Sequence, residues 1–273
     1  MIDAAPGQAK NAKLLRLATY ASVFTAAILI IAKLVAWVLT GSVSILASLV
    51  DSLMDIIAST VNLFAVRYSL QPPDAELRFG HGKAEPLAGL AQAAFIIGSA
   101  VFLVLHAVER FRFPRQLQDI GIGITVMALA IVLTLGLLLI QRHVIKKTAS
   151  TAIRADALHY GTDLLTNLSI IFALILASFG WIWADAVFAI AVAMYIFYSA
   201  LQIGHEAFQQ LMDRELSAEV QEQILSIVRE NPAVLGAHEL RTRQAGQAKF
   251  IQLHLELDDN LSLFDAHAIG DQV

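Results

Sequence analysis

The sequence has no cysteine among its 273 residues. Disulfide bonds are therefore excluded, and a metal ion would have to be bound by His and carboxylate groups rather than by thiolates. Charged residues are also scarce, at 15% of the chain against about 25% in an average soluble domain. The net charge of −4 and the lack of a basic stripe argue against a nucleic-acid-binding protein.

Hydrophobic residues are in excess and account for 57% of the chain. A soluble core of this size cannot bury so much apolar surface, so the long apolar runs predict membrane spans. Six runs reach the length of about 20 residues that a helix needs to cross a bilayer. They cover residues 17–40, 44–68, 84–107, 120–140, 155–179 and 182–201.

The composition changes near residue 213. The segment 213–273 holds 11 acids and 5 bases, whereas the rest of the chain holds 12 acids and 14 bases. We therefore predict an α-helical polytopic membrane protein with a six-helix transmembrane transport domain at 1–212 and a small cytosolic α+β domain at 213–273. This second domain is predicted to be ferredoxin- or metallochaperone-like, with a helix from Ser217 to Pro232, strands at 238–243 and 249–257, and an incomplete C-terminal end.

The distribution of Lys and Arg predicts the orientation in the membrane. Ten of these residues flank the spans on the side that holds the N-terminus, and three lie on the opposite side. Because Lys and Arg are enriched in cytoplasmic loops, we expect both termini in the cytoplasm. The three exceptions follow the third run: Arg110, Arg112 and Arg115.

Ionisable residues occur inside two of the predicted spans. Asp51 and Asp55 lie in the second span, and His159 and Asp163 lie in the fifth. Each pair is spaced by four residues, so its members lie on one helix face, one turn apart. An acid at the centre of a membrane helix costs about 2.5–3.5 kcal/mol, and three acids cost about 8–10 kcal/mol. Such a cost requires a compensating partner.

A bound divalent cation is the partner that fits best. A single intramembrane Asp is often hydrogen-bonded to a polar neighbour, but two pairs at the same spacing are harder to explain in that way. Lys33 cannot neutralise three carboxylates, and we interpret it as a residue that reaches the interface or lines a water cavity. Three carboxylates and one imidazole supply the four ligands that zinc prefers. With no position left for an activated water, the site favours binding and transport over hydrolysis.

The paired motifs resemble those of the cation diffusion facilitator family, and closely those of its bacterial zinc-exporting branch. The resemblance covers nearly the whole chain and includes the Gly-His-Gly-Lys stretch at 80–83 and the His-bearing tail. It implies a homodimer in the bacterial inner membrane that exchanges cytosolic zinc for protons by alternating access. It also implies that the transport site consists of Asp51, Asp55, His159 and Asp163. His at the first position of the second pair is associated with zinc and cadmium, and ferrous iron remains an alternative.

Proton coupling is consistent with these residues. Three bare acids close together bind protons more readily than isolated acids, and an imidazole beside carboxylates also gains proton affinity. Zinc binds only to the deprotonated groups, so that metal binding releases protons. One set of ligands would then hold zinc and protons in turn.

The resemblance implies two accessory metal sites. In the loop after the second span, Asp74 and His81 match two of three family ligands, while Leu77 occupies the position of the third and cannot bind metal. We expect weak binding there, with some help from Glu76. In the tail, a partial zinc site is implied, because further family ligands would lie beyond residue 273. Its matching residues are His238, His254 and His267.

Two further roles are expected. The resemblance implies an interdomain salt bridge between Lys83 and Asp213 near the dimer axis. Leu158, directly before His159, is expected to close one side of the site as an apolar gate.

Other functions are compatible with a membrane metal site. A metal sensor would report zinc through its tail without transport, but it has no need of ionisable ligands in the bilayer. A metal channel would pass ions without proton coupling, but a closed four-ligand site argues against it. An intramembrane metalloenzyme would need an open coordination position. We expect a transporter and not an enzyme, with the sensor and the channel as alternatives.

Overall fold

The computed structural model describes residues 6–41, 43–112, 121–179, 181 and 184–273. Its elements confirm the predicted fold class, six long helices followed by a small α+β unit. The long helices are α1 (Pro6–Thr40), α2 (Val43–Ser69), α3 (Ala84–Arg112), α4 (Gly121–Thr148), α5 (Thr151–Ser178) and α6 (Ala184–Leu211). The remaining elements are α7 (Ala218–Glu230), β1 (Gly236–Ala245), β2 (Ala248–Glu256) and α8 (Leu263–Gln272).

The long helices extend beyond several of the apolar runs that predicted them. Helix α1 begins at Pro6 instead of residue 17, and α4 continues to Thr148 instead of residue 140. Polar residues outside a bilayer can continue the helical hydrogen bonding, so an apolar run marks only the part inside it. Among the described residues, five helices, α1–α4 and α6, contain stretches long and apolar enough to cross a membrane. Helix α5 is 28 residues long.

The bundle buries polar side chains together with apolar ones, and many large apolar side chains lie on its outside. On α2, Ser52, Ser59 and Asn62 are buried, whereas Val61 and Phe64 are exposed. Phe64 has 65% of its surface exposed, which water would disfavour and lipid tails would not. This arrangement is the one expected of helices that bury their polar groups against each other in a membrane.

Two groups of helices meet at α5. A buried cluster joins α1, α2, α4 and α5 through small and branched side chains: Leu15, Ala18, Val66, Val144, Ala152 and Ile153. A second cluster joins α3 to α6 through Ile96, Ala100, Ile196 and Ala200. Ala93, Ala155 and Ile203 connect α5 to this pair. Helix α5 therefore contacts both groups.

The tail contains an antiparallel hairpin and two short helices. Strands β1 and β2 pair from Gly236 with Glu256 to Ala245 with Ala248, with a bulge between His238 and Arg241. Gly246, in the turn, has a φ of 59°, which glycine adopts at little cost. Ser217 precedes α7 as predicted, but its side chain makes no capping hydrogen bond.

Candidate metal centre

Two of the proposed ligands, Asp55 and His159, lie on buried faces of α2 and α5. On α2 the residues at 52, 55, 59 and 62 recur every three or four positions and are all buried, so that Asp55 faces the bundle interior. On α5, His159 and Tyr160 are also buried. The fold thereby turns the two sequence motifs toward each other.

Three of the four predicted ligands come together. His159 Nε2 lies 2.9 Å from Asp55 Oδ1. Ligand atoms of Asp55, His159 and Asp163 all lie within 4.8 Å of one another, and no ion pair with Lys or Arg involves them among the described residues. The imidazole is flanked by the rings of Phe95 and Tyr160, with centroids at 6.0 and 5.5 Å. The group therefore combines two carboxylates and one imidazole in a mostly buried setting.

Asp51 lies outside this group. It is exposed, one turn from Asp55 on α2, and its carboxylate is not within the same 4.8 Å set. Beside it, Lys33 of α1 donates hydrogen bonds to Ser52 Oγ at 2.6 Å and to Ser48 O at 3.1 Å. Lys33 thus connects α1 to α2 by hydrogen bonds.

Leu158 packs against α3 and α6. It is half-buried and contacts the two apolar clusters that join α3, α5 and α6. Its place is therefore at the contact between α5 and the α3–α6 pair, directly beside His159.

The predicted loop residues form a pair. His81 is buried, and its Nε2 lies 3.2 Å from Asp74 Oδ2. The backbone N–H groups of Leu77 and Glu76 donate to Asp74 Oδ1 at 2.6 and 3.0 Å. These bonds, that of Leu77 above all, lower the pKa of the Asp74 carboxyl. Among the described residues no third metal ligand joins the pair.

The tail residues come together in part. His238 and His254 face each other across the two strands, and Glu239 brings a carboxylate, so that the three ligand atoms lie within 4.8 Å of one another. His267 lies apart from them on α8, where its Nε2 is 3.7 Å from Asp271. All these side chains are exposed.

Lys83 and Asp213 are in contact within one chain. Lys83 Nζ lies 3.0 Å from Asp213 Oδ1, and Arg243 Nη1 lies 3.3 Å from the same oxygen. Lys83, and then Arg243, lower the pKa of this carboxyl. Arg243 also stacks on the rings of Phe79 and Phe250, so the contact joins the loop before α3 to the tail.

Two acids near these sites have no place in the sequence-based expectations. Asp156 is fully buried on α5, three residues before His159. The spacing of three and then four residues from Asp156 to His159 and Asp163 is a signal that a search for polar positions on one helix face would find. Glu239 reaches the histidines because the β-bulge changes the alternation of β1, and its φ is 50°. Sequence alternation alone would place it on the opposite face.

Two family models match the chain. The model described as the cation efflux transmembrane domain matches residues 19–212, and the one described as the cation efflux protein, cytoplasmic domain, matches residues 216–273. Together they cover most of the membrane helices and the whole tail.

Similar proteins bear the name cation-efflux pump FieF. The protein from Klebsiella pneumoniae is 52% identical over 261 residues, which are 96% of this chain and 87% of that protein. The one from Yersinia enterocolitica is 53% identical over 262 residues, with the same coverage. The one from Shewanella oneidensis is 50% identical over 256 residues, 94% of this chain and 86% of the relative. The chain belongs to the cation efflux family, also called the cation diffusion facilitators, and is a multi-pass membrane transporter that exports metal cations rather than an enzyme.

Proposed function

We propose that the protein exports zinc from the cytoplasm in exchange for protons, with Asp51, Asp55, His159 and Asp163 as the transport site. The observation that carries the proposal is the group of buried Asp55, buried His159 and half-buried Asp163 inside the helical bundle. Two acids there, without a Lys or Arg ion pair among the described residues, need another positive charge. A borderline ion such as Zn²⁺ accepts both imidazole and carboxylate ligands.

The separation of the ligand atoms suits a metal ion after a small contraction. Two ligands of a tetrahedral zinc ion lie about 3.4 Å apart, given metal–ligand distances of about 2.1 Å. The present group spans up to 4.8 Å. Asp51 would fill the fourth position, which its place one turn from Asp55 allows if its side chain or α2 moves inward.

Proton exchange follows from the bond between His159 and Asp55. An ionised carboxylate only accepts hydrogen bonds, so the 2.9 Å contact contains one proton whichever group carries it. A metal ion bound by both atoms has to displace this proton, which leaves the site when the imidazole is an imidazolium or the Asp55 carboxyl is protonated, and otherwise moves to Nδ1 of the imidazole. The site would thus hold a proton or a metal ion between the same two side chains.

The proposal includes an assembly and an orientation. By resemblance to the family, the protein would act as a homodimer in the bacterial inner membrane, with both termini in the cytoplasm. The Lys83–Asp213 contact would keep the tail attached to the membrane domain near the dimer axis. Leu158 would separate the site from one side of the membrane, since it packs between α5 and the α3–α6 pair.

The loop and the tail are proposed as accessory zinc sites. Asp74 and His81 supply two ligands, which supports weak binding only. In the tail, His238 and His254 are already opposed, and Glu239 adds a third ligand. His267 would join only if α8 moved toward the hairpin.

Zinc flux into proteoliposomes under an imposed pH gradient tests the transport proposal. We expect the flux to follow the gradient, and Asp163→Ala to abolish it because the site loses one of its few ligands. Asp259→Ala, which removes an exposed acid of the tail that belongs to none of the proposed sites, is the matched control and should transport like the parent protein. Transport by Asp163→Ala at the parent rate would refute the proposed site.

The same measurement separates the alternatives. Downhill zinc flux that ignores the pH gradient would indicate a channel. Zinc binding without any flux would indicate a sensor.

A further inference from the structure

Asp156 is a buried acid that the proposed transport site does not use. Its carboxyl accepts hydrogen bonds from Ser22 Oγ at 2.5 Å and from Gln141 Nε2 at 2.7 Å, both on Oδ2. Gln92 Nε2 donates to Oδ1 at 3.2 Å. These donors belong to α1, α4 and α3, so a single carboxyl on α5 connects four helices. We call these four residues the Asp156 hub.

The donors in the hub are arranged around the carboxyl. Gln141 Nε2 also donates to Ser22 Oγ at 3.0 Å, while its own Oε1 is buried without a hydrogen-bond partner among the described residues. The Gln141 amide thus points its N–H group at Asp156 and Ser22, although its own oxygen makes no hydrogen bond among the described residues. The two acceptors therefore determine its orientation. All three donors are neutral, and no ion pair reaches Asp156 in the part of the chain that the structure describes.

The hub continues into the metal centre. On α5, His159 and Tyr160 follow Asp156 by three and four residues, and Asp163 follows them by four and three, which places all four along one face. The Tyr160 hydroxyl donates to the backbone oxygen of Ser22 at 3.2 Å and lies 2.8 Å from Ser59 Oγ of α2. Ser22, a member of the hub, therefore also contacts Tyr160, the residue next to His159.

We propose that Asp156 is a positioning residue for the transport site. By holding α5 against α1, α3 and α4, it fixes the height and rotation of α5 at which His159 and Asp163 meet Asp55. The inference rests on the proposed function, because it assumes that these three residues bind the metal. A second position of α5 would separate His159 Nε2 from Asp55 Oδ1, which are now 2.9 Å apart.

Two substitutions of Asp156 distinguish positioning from other roles. Asp156→Ala removes the acceptor that the three donors share, so α5 loses these hydrogen bonds to α1, α3 and α4. Gln92 Nε2 then has no acceptor among the described residues, whereas Ser22 Oγ and Gln141 Nε2 keep one other bond each. Asp156→Asn keeps one oxygen for Ser22 and Gln141. Its new amide group can donate to Gln92 once that amide turns over, since Asn and Gln amides present both an acceptor and donors. The Asn variant should therefore restore the geometry that the Ala variant loses.

Zinc binding at equilibrium is the measurement, with zinc ions alone as the probe. It uses the full chain in lipid nanodiscs, with His81, His238, His254 and His267 replaced so that only the membrane site remains. We expect Asp156→Ala to weaken zinc binding about tenfold or more, as loss of an outer-shell partner does. Asp156→Asn should bind close to the parent value. Thr134→Ala, which removes another buried polar side chain of α4, is the control and should not change the affinity.

Two results would overturn the proposal. One is parent-like zinc affinity in a folded Asp156→Ala variant. The other is an equal loss of zinc affinity in the Asn and Ala variants, which would assign the effect to the negative charge of Asp156. If Asp156→Ala does not fold, Ser22→Ala and Gln92→Ala decide in its place: smaller losses in both support the hub, and parent-like binding in both overturns it. Asp55→Ala, measured in parallel, separates the two proposals, because parent-like binding there would refute the transport site itself.

Discussion

His159 is the candidate ligand whose chemistry separates zinc from harder cations. Its imidazole supplies the only nitrogen in the group, and the rings of Phe95 and Tyr160 hold it in place. Imidazole suits zinc, whereas carboxylate oxygens suit manganese and magnesium. The choice of metal should therefore depend on this one side chain.

The substitution His159→Asp tests this dependence. It replaces the nitrogen with an oxygen ligand on the same turn of α5, so we expect the ratio of zinc to manganese transport to fall about tenfold, a difference of about 1.4 kcal/mol. Competition between the two metals in a flux assay gives the ratio directly. Asp163→Glu, which changes a ligand but keeps it a carboxylate, is the control. An unchanged ratio in His159→Asp would mean that selectivity is determined elsewhere in the protein.

At the scale of the elements, the loop between α2 and α3 forms a hydrogen-bonded turn around Asp74. Asp74 accepts from two backbone N–H groups and contacts His81, whose ring lies against Tyr68 at a centroid distance of 4.5 Å. The Leu77 side chain is 43% exposed, so it adds little to the packing of the loop. The turn therefore brings two potential metal ligands, Asp74 and His81, into contact through its own hydrogen bonds.

Leu77→His should supply that ligand. The backbone bond from residue 77 to Asp74 does not depend on the side chain, so the turn should persist and zinc affinity at the loop should rise about tenfold or more. Equilibrium zinc titration of a variant without the tail histidines and without Asp163 isolates the loop. Arg78→His, which adds a histidine one position away in the same loop, should give no such gain. Equal zinc binding by the two variants would contradict a site at Asp74 and His81.

The sequence predicted the elements better than their contacts. Apolar runs specify that a helix exists and crosses the membrane, because burial in lipid dominates its energetics. They do not show where the helix ends: α6 continues to Leu211, ten residues past the predicted end. The motif spacing placed His159 and Asp163 on one face, and the fold brought them to Asp55. Asp156 and Glu239 could not be assigned, because their roles depend on packing between helices and on a β-bulge.

At the scale of the whole molecule, the tail contacts the ends of the membrane helices at two places within the described residues. One is the charged contact of Lys83 and Arg243 with Asp213. Since the pKa of Asp213 is lowered by these partners, this contact contributes at neutral pH and is lost as the pH falls through that lowered pKa. The other is the turn of the β1–β2 hairpin, which packs on Gly82 directly before α3.

The hairpin turn lies against polar groups of α1, α3 and α4. Gln247 Nε2 donates to the Thr148 backbone oxygen at 3.0 Å, at the end of α4, and Asn11 Nδ2 of α1 donates to Gln247 Oε1 at 3.2 Å. Glu85, in the first turn of α3, is buried beneath Gly246. A displacement of the turn would therefore change contacts with α1, α3 and α4 together.

Gly82→Ala should displace this turn. A Cβ atom at position 82 would lie 2.2 Å from the backbone oxygen of Ala245, so one of the two backbones has to move, at a cost of about 1–3 kcal/mol. The absence of native cysteine allows a direct measurement: Asn11→Cys and Gln247→Cys, joined by a short bifunctional thiol reagent, report the docked turn. We expect the crosslinking yield to fall in Gly82→Ala and to stay unchanged in Gly98→Ala, where a Cβ would meet no atom within 4 Å. Equal yields in the two variants would show that the turn does not rest on Gly82 in the membrane. A lower yield together with slower zinc flux would mean that the docked tail supports transport through the ends of α1, α3 and α4.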